Sequence, residues 1–372
     1  MKCLAKGGPQ MMHQLAYNMT LDQRPHFAWG RVADRITLRA AAADEGRITL
    51  STDLSELHQS GILARLVHDA TAEPLQAATM LRRLGRVSLP VGRIVEGHVN
   101  ALKLIALYGT ADQRANATAD ATAGVIFGVW GADGAPAASF TRGLGSGITL
   151  SGEKRFCSGL GLVGRAIMTA GGADGGQLVL ADVTRPDRAD ASVWQVSGMR
   201  ATASGTYDLN GLQAECLGKP GDYQIEPYFE GGTWRYSALH VGGLEALAEF
   251  VRRHLLGTTD PHQTHRLAQL VVLADTARLH VEAAALAVES GHDSQAAVTR
   301  ALLAREAVEQ ACLAGIALAQ RALGTSAFRA GSPVDLCLRD LAFFLRQANL
   351  DGKLTQAAKC IQSLPGDIGE QW

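Results

Sequence analysis

Aromatic residues make up only 5% of the 372 positions. Helices built from such a chain must pack through small side chains, and alanine and glycine are abundant. Charge is sparse as well, at 19% of residues with a formal net charge of -1, which excludes the basic footprint of a nucleic-acid binder. No apolar run approaches the length of a membrane span. The N-terminus, MKCLAKGGPQMMHQ, lacks the apolar stretch of a secretory signal. Cys3, Cys157, Cys216, Cys312, Cys337 and Cys360 form no CxxC pair and no zinc-type spacing. That pattern reads as a reduced, cytoplasmic protein, in which the sequons at Asn18 and Asn116 are chance matches.

What is present is a hydrophobic fraction of 47%, enough for a sizeable core in two or three domains or in one large domain of several layers. Residues 1–30 show no clear periodicity and read as an N-terminal extension. From Arg31 the pattern is helical and ends at Gly46, a plausible residue just past a helix end. Ser51 or Thr52 is expected to cap the next helix, with Glu56 in its first turn. A third helix covers 72–86, and Pro90 opens a fourth. There Ile94, Val95, Val99, Leu102, Ile105 and Ala106 recur near helical spacing.

The character changes near Ala123. GVIFGVW, GITLSGEKRF, RAIMTA, GQLVLADV, SVWQVSG and GTYDLNGL are short β-rich runs separated by Gly, Asp and Pro. They predict six or more strands in a small barrel or sandwich. Helical periodicity returns over Trp234–Leu256, His262–Ser290 and Ser294–Leu323. A shorter helix follows Pro333 and a last one covers Lys353–Leu364. The expected fold class is therefore α+β, mostly α. Its parts are an extension (1–30), an N-terminal helical domain (31–122), a central β domain (123–218) and a C-terminal four-helix-type bundle (219–372).

Two motifs mislead. GLGLVG, Gly159–Gly164, matches GxGxxG, but a dinucleotide site needs a helix after the glycines, and a strand-like run follows instead. The glycines are expected to make a turn. His262, His265 and His280 share one helix without an acidic partner or an HExxH pattern, so no metal site is expected. No GxSxG elbow, Walker loop or EF-hand occurs.

LSGEKRFCSG, then GMRATASGTYDLNGLQAE, ECLGKPGDY and RALGTSAFRAGSPVDLCLRDLAFF follow in order. With the early helix pair AAADEGRITLSTDLSELHQSGIL, they resemble the acyl-CoA dehydrogenase family over most of residues 31–350. The resemblance implies FAD in a cleft between the β domain and the bundle. It places Phe156 against the flavin, Ser158 near its N5, and Val129 and Trp130 in the strand whose backbone meets the ring's polar edge. Phe156 and Ser158, two apart, are expected on one side of a strand. Gly324 and Thr325 match the turn that receives a neighbouring subunit's adenine, which implies a homodimer or homotetramer. Arg235 matches an arginine near the pantetheine arm of an acyl-CoA or other small-molecule substrate. Arg339–Asp340 matches the family's RD pair and reads as structural.

The chain departs from that family at the base. Dehydrogenation needs a carboxylate in a dry pocket. One usual position falls near Ala348 and the other at Trp234, neither of which is acidic. Three readings follow. An acyl-CoA dehydrogenase-like oxidoreductase could use Asp351 or Glu96 as a relocated base. A flavin monooxygenase of the same fold could use His98, on the fourth helix, beside the site. A binding or assembly protein would need neither.

Overall fold

The structure is a computed structural model. It describes residues 25–143, 147–172, 175–291, 294–347, 349–364 and 366–368. Much of the expected extension, 1–30, lies outside the described residues. Its last part does not: a helix, α1 (Pro25–Asp44), already runs through residues 25–30.

Five further helices complete the N-terminal layer: α2 (Ser51–Gln59), α3 (Ile62–Ala72), α4 (Pro74–Val87), α5 (Leu89–Tyr108) and α6 (Ala111–Thr122). Gly46 leaves α1 with a φ of 72°. Neither Ser51 nor Thr52 caps α2; both lie inside it, and its flanking Leu50 makes no side-chain cap. α5 is capped by Ser88, whose Oγ accepts from the Val91 N–H at 3.3 Å, with Pro90 in its first turn. α6 begins with a reciprocal capping box between Thr110 and Gln113.

The central region contains β1 (Ile126–Trp130), β2 (Ser139–Arg142), β3 (Gly147–Ser151), β4 (Glu153–Arg155), β5 (Val163–Gly172), β6 (Gly175–Asp182), β7 (Ala189–Asp190), β8 (Thr206–Asp208) and β9 (Gln213–Leu217). One sheet runs β1-β5-β2-β3-β9-β6, and β5 also pairs with β6. The long β5 thus closes the sheet into a small barrel and carries β1 as an outer parallel strand. A second sheet, β4-β8-β7, flanks it. Lys154, fully buried, bolts the two together. Its Nζ donates to Asp133 Oδ1 at 2.6 Å, Thr169 Oγ1 at 3.1 Å and the Gly131 carbonyl at 3.2 Å.

SVWQVSG does not form the expected strand. Asp190 Oδ1 accepts from the Ser192 amide and hydroxyl, closing a turn. The Trp194 indole N–H donates to the Met199 carbonyl at 3.1 Å. Short-range backbone bonds, from the Trp194 N–H to the Ala191 carbonyl at 3.1 Å and from the Gln195 N–H to the Val193 carbonyl at 3.0 Å, curl the stretch in place of a ladder.

The C-terminal bundle comprises α7 (Trp234–His254), α8 (Pro261–Glu289), α9 (Ser294–Leu323), α10 (Pro333–Phe344) and α11 (Leu350–Ser363). Its core is built mostly from Ala, Val and Leu, with Ala277, Val281, Ala284 and Ala301 all buried. α4 packs into the α7 side of the bundle, so the first and last thirds of the chain share one core.

Candidate active site

Phe156 follows β4 directly, in a left-handed conformation with a φ of 55° and a side chain 56% exposed. A large ring held out on strained backbone has no internal packing to account for it. Its neighbours are aromatic or cationic. Trp194 meets it edge-on at 6.4 Å, Phe343 of α10 meets Trp194 at 5.5 Å, and the Arg155 guanidinium lies 5.1 Å from its centre. This aromatic row crosses from the β region to the bundle. At its end opens a cleft of about 410 Å³ between Ser197 and helices α9 and α10, lined by Gln320, Phe328, Phe343 and Arg346 among others.

Phe156 and Ser158 are not on one side of a strand, because β4 ends at Arg155 and the chain turns. Ser158 is placed by hydroxyls instead. Ser204 Oγ donates to Ser158 Oγ at 3.0 Å, and Thr202 Oγ1 lies 2.9 Å from Ser204 Oγ. The GLGLVG segment is the turn from β4 to β5, with φ of 82° at Gly159 and 75° at Gly161. No helix follows it, so it offers no dinucleotide seat.

Trp130 is buried against Tyr207 at 5.4 Å, and its indole N–H donates to the Ser158 carbonyl at 3.1 Å. Its side chain fixes the Ser158 turn rather than facing outward. β1 is a terminal strand of its sheet, with β5 on one side. On the other edge the Phe127 N–H donates to His98 Nδ1 at 3.1 Å. Amides two apart on a strand point the same way, so the backbone of Val129 shares that edge.

His98 thereby ties α5 to β1. Burial pushes its pKa down to about 4, so it is neutral at pH 7 and its Nδ1 is occupied. Asp351 is exposed in the first turn of α11, without the dry surroundings a carbon-acid base needs. The structure does not bring these two candidates together, and Ala348 is outside the described residues. Glu96 is buried but gripped by Arg93 and Asn100. Gly324 (φ 58°) and Thr325 open the tight turn Gly324–Phe328 after α9, beside the cleft.

Arg235 is buried in a polar network. It donates to Glu289 at 3.1 Å and to Asn100, while Glu289 also holds Lys103 and accepts from Trp234 Nε1 at 3.2 Å. Burial lowers the Lys103 pKa to about 8, although Glu289 works against the shift.

The sequence reasoning missed a face of α7. Thr233, Tyr236, Ser237 and His240 lie at helical spacing on one side, all buried. Thr233 Oγ1, Tyr236 OH, Ser237 Oγ and His240 Nε2 have no hydrogen-bond partner among the described residues. Such a concentration of orphaned groups is costly, at about 1–3 kcal/mol each. Phe344 closes over His240 edge-on at 4.6 Å, and Tyr236 lies 5.6 Å from it. On α9, Arg305 pairs with Glu309, which also holds Arg346. Lys353 of α11 pairs with Glu230 ahead of α7. Burial, with Arg305 and Arg346 adding to it, pushes the His240 pKa down to about 3. Burial also raises the Tyr236 hydroxyl. Both are therefore neutral at pH 7. No cluster of three metal-ligating side chains occurs among the described residues.

Against known proteins, no family model and no curated protein matches the chain. Solved structures do. Butyryl-CoA dehydrogenase from Megasphaera elsdenii matches with a TM-score of 0.77 at 16% identity, over 97% of this chain and 100% of that one. The chain adopts the acyl-CoA dehydrogenase fold. Other proteins of that fold match as well. Methanesulfinate monooxygenase MsuC from Pseudomonas fluorescens gives a TM-score of 0.77 at 20% identity, over 93% of this chain and 99% of that one. FMN-bound TdsC from Paenibacillus sp. A11-2, a dibenzothiophene monooxygenase, gives 0.79 at 16% identity, over 91% and 96%. No described helix is long and apolar enough to cross a membrane.

Proposed function

We propose that the protein is a flavin-dependent oxidoreductase of the monooxygenase kind, acting on a small polar molecule held against α7. The flavin seat is the junction of β region and bundle. Phe156 supplies the wall, Ser158 a hydroxyl and the β1 edge at Val129 and Trp130 a backbone rim, while Gly324 and Thr325 take the far end of a partner subunit's cofactor. The resemblance points to FAD, and TdsC is seen with FMN bound. Bound flavin would supply the redox chemistry.

The observation that carries the oxygenase reading is the character of the α7 face. Four carboxylates around it are engaged in ion pairs: Glu96 with Arg93, Glu230 with Lys353, Glu289 with Arg235 and Lys103, Glu309 with Arg305 and Arg346. Dehydrogenation of a thioester needs a free base, and a fatty acyl chain needs apolar walls. Neutral His240 and Tyr236 instead offer hydrogen bonds and proton transfer in a dry site. The second reading, dehydrogenation of an acyl thioester with Arg235 near its arm, is favoured by the match to butyryl-CoA dehydrogenase.

A homodimer or larger homo-oligomer belongs to this proposal. α8 has an outward row of apolar residues, Val272, Leu279 and Leu286, all exposed and spaced by two heptads.

Titration of apo-protein with FMN and with FAD, followed by flavin fluorescence, tests the seat. Micromolar or tighter binding is expected, weakened at least tenfold in Phe156→Ala. Absence of binding to either flavin sinks the proposal. Bleaching of bound flavin by an acyl-CoA under anaerobic conditions would instead establish the second reading.

A further inference from the structure

Resting on the proposed flavin seat, we infer that Asp340 of α10 is its positioning residue. Through one residue, Met199, it sets both side chains proposed to meet the ring, Phe156 and Ser158.

Met199 is a hub. Its N–H donates to Asp340 Oδ1 at 2.5 Å. Its carbonyl accepts twice, from the Trp194 indole N–H at 3.1 Å and from Thr202 Oγ1 at 2.7 Å. Each donor leads to one of the flavin contacts. Trp194 meets Phe156 edge-on at 6.4 Å. Thr202 Oγ1 lies 2.9 Å from Ser204 Oγ, which donates to Ser158 Oγ at 3.0 Å. Phe343, three residues beyond Asp340 and on the same face of α10, packs against Trp194 at 5.5 Å and steadies the indole from a second side.

The hub holds a shape that its own residues would not choose. Met199 and Ala203 have φ of 57° and 43°, and they bracket the single turn Arg200–Thr202. Residues with a Cβ seldom take this conformation, and it persists only where the surroundings fix it. α10 fixes it residue by residue. Arg339 donates to the Ser197 carbonyl at 2.6 Å. A methyl group on Gly198 would fall 2.1 Å from the Arg339 carbonyl oxygen, so the two backbones touch. Asp340 then takes the next amide. Asp340 and Met199 are both buried, and a hydrogen bond out of reach of water is the stronger for it. Asp340 pins the amide on one side of the Met199 Cα, and the carbonyl on the other side inherits that orientation. Without this acceptor the Met199 N–H is a buried donor with nothing to meet. The residue is then free to turn, and the Trp194 and Thr202 bonds turn with it.

The test uses the full-length protein and flavin labelled with ¹⁵N at N5, as FMN and as FAD. Affinity reads the seat as a whole, and the N5 resonance reads the Ser158 contact. Asp340→Ala should weaken the better-bound flavin at least tenfold and move the N5 signal. Asp340→Asn keeps an acceptor for Met199 and should bind within threefold of wild type with N5 unmoved. The two branches separate in two further variants, which carry the test if Asp340→Ala fails to fold. Thr202→Val should move the N5 signal. Trp194→Phe, which keeps a ring and loses the indole N–H, should weaken binding at least threefold and leave N5 in place. A merely structural role would move both readouts together in both variants. The inference is overturned by that result, by flavin binding to Asp340→Ala as to wild type, by Asp340→Asn failing as badly as Asp340→Ala, or by Thr202→Val leaving N5 unmoved. Each of these leaves the proposed function standing, whereas a wild type that binds neither flavin refutes the proposed function and this inference with it.

Discussion

Gly242 of α7 and Gly85 of α4 meet backbone to backbone. A methyl group on Gly242 would fall 2.1 Å from the Arg82 carbonyl oxygen and 2.9 Å from the Gly85 Cα. One on Gly85 would fall 2.2 Å from the Leu239 carbonyl oxygen. Both obstacles are backbone, so neither can rotate aside. This crossing sits two residues beyond His240 and fixes how deeply α7 carries its polar face into the bundle.

Gly242→Ala is therefore expected to force the helices apart at a cost of about 1–3 kcal/mol. Thermal melting checks this. A melting temperature equal to wild type would mean that the crossing is looser than its geometry.

Glu289→Gln removes the anion shared by Lys103 and Arg235. Leaving buried charge uncompensated costs about 3–5 kcal/mol. Lys103 already has its pKa depressed to about 8 from 10.5. A base with a depressed folded pKa binds fewer protons folded than unfolded between those values, so its contribution to stability rises with pH across that window. The deficit of Glu289→Gln should narrow between pH 7 and pH 10 without vanishing, because Arg235 stays charged. Denaturant melts at the two pH values decide it.

Asp340 is buried, and that burial raises its pKa to about 7 although it accepts the Met199 N–H. The folded state then holds a proton that the unfolded state releases between roughly pH 4 and pH 7. Stability falls as pH rises through that window. Asp340→Asn keeps an acceptor for Met199 and removes the charge. Its melting temperature should gain on wild type from pH 4.5 to pH 8, and a gap that stays constant would refute the assignment.

Phe156→Gly should relieve the left-handed backbone, worth about 1–2 kcal/mol for a residue with a Cβ, less the entropy glycine loses on folding. Stability unchanged or raised, together with weakened flavin binding, is the expected pairing. A variant that loses stability would mark Phe156 as a packing residue.

The bundle was legible because its periodicity is long: α8 and α9 run for 29 and 30 residues. α6 was not, since ADQRANATADAT buries only Gln113 and Ala117 and its apolar positions make no stripe. SVWQVSG alternates like a strand, and the asymmetry that matters, a turn at Asp190 and an indole bond to Met199, is invisible to alternation. The α7 face was hidden for a different reason. Thr233, Tyr236, Ser237 and His240 read as the solvated side of an amphipathic helix. Their burial comes from Phe344 and Arg305, residues more than sixty positions further along.

The hydroxyl series at Ser158 has a consequence in electron pairs. Thr202 Oγ1 donates to the Met199 carbonyl at 2.7 Å, and Ser204 donates to Ser158. A hydroxyl carries one proton and two lone pairs, so Ser158, accepting from Ser204, keeps its own hydrogen and one further lone pair for whatever lies beyond. A carbonyl oxygen set there would take the hydrogen, and an N–H would take the lone pair. The one serine can answer a partner that gains or loses a proton by turning its hydroxyl, with no other side chain moved.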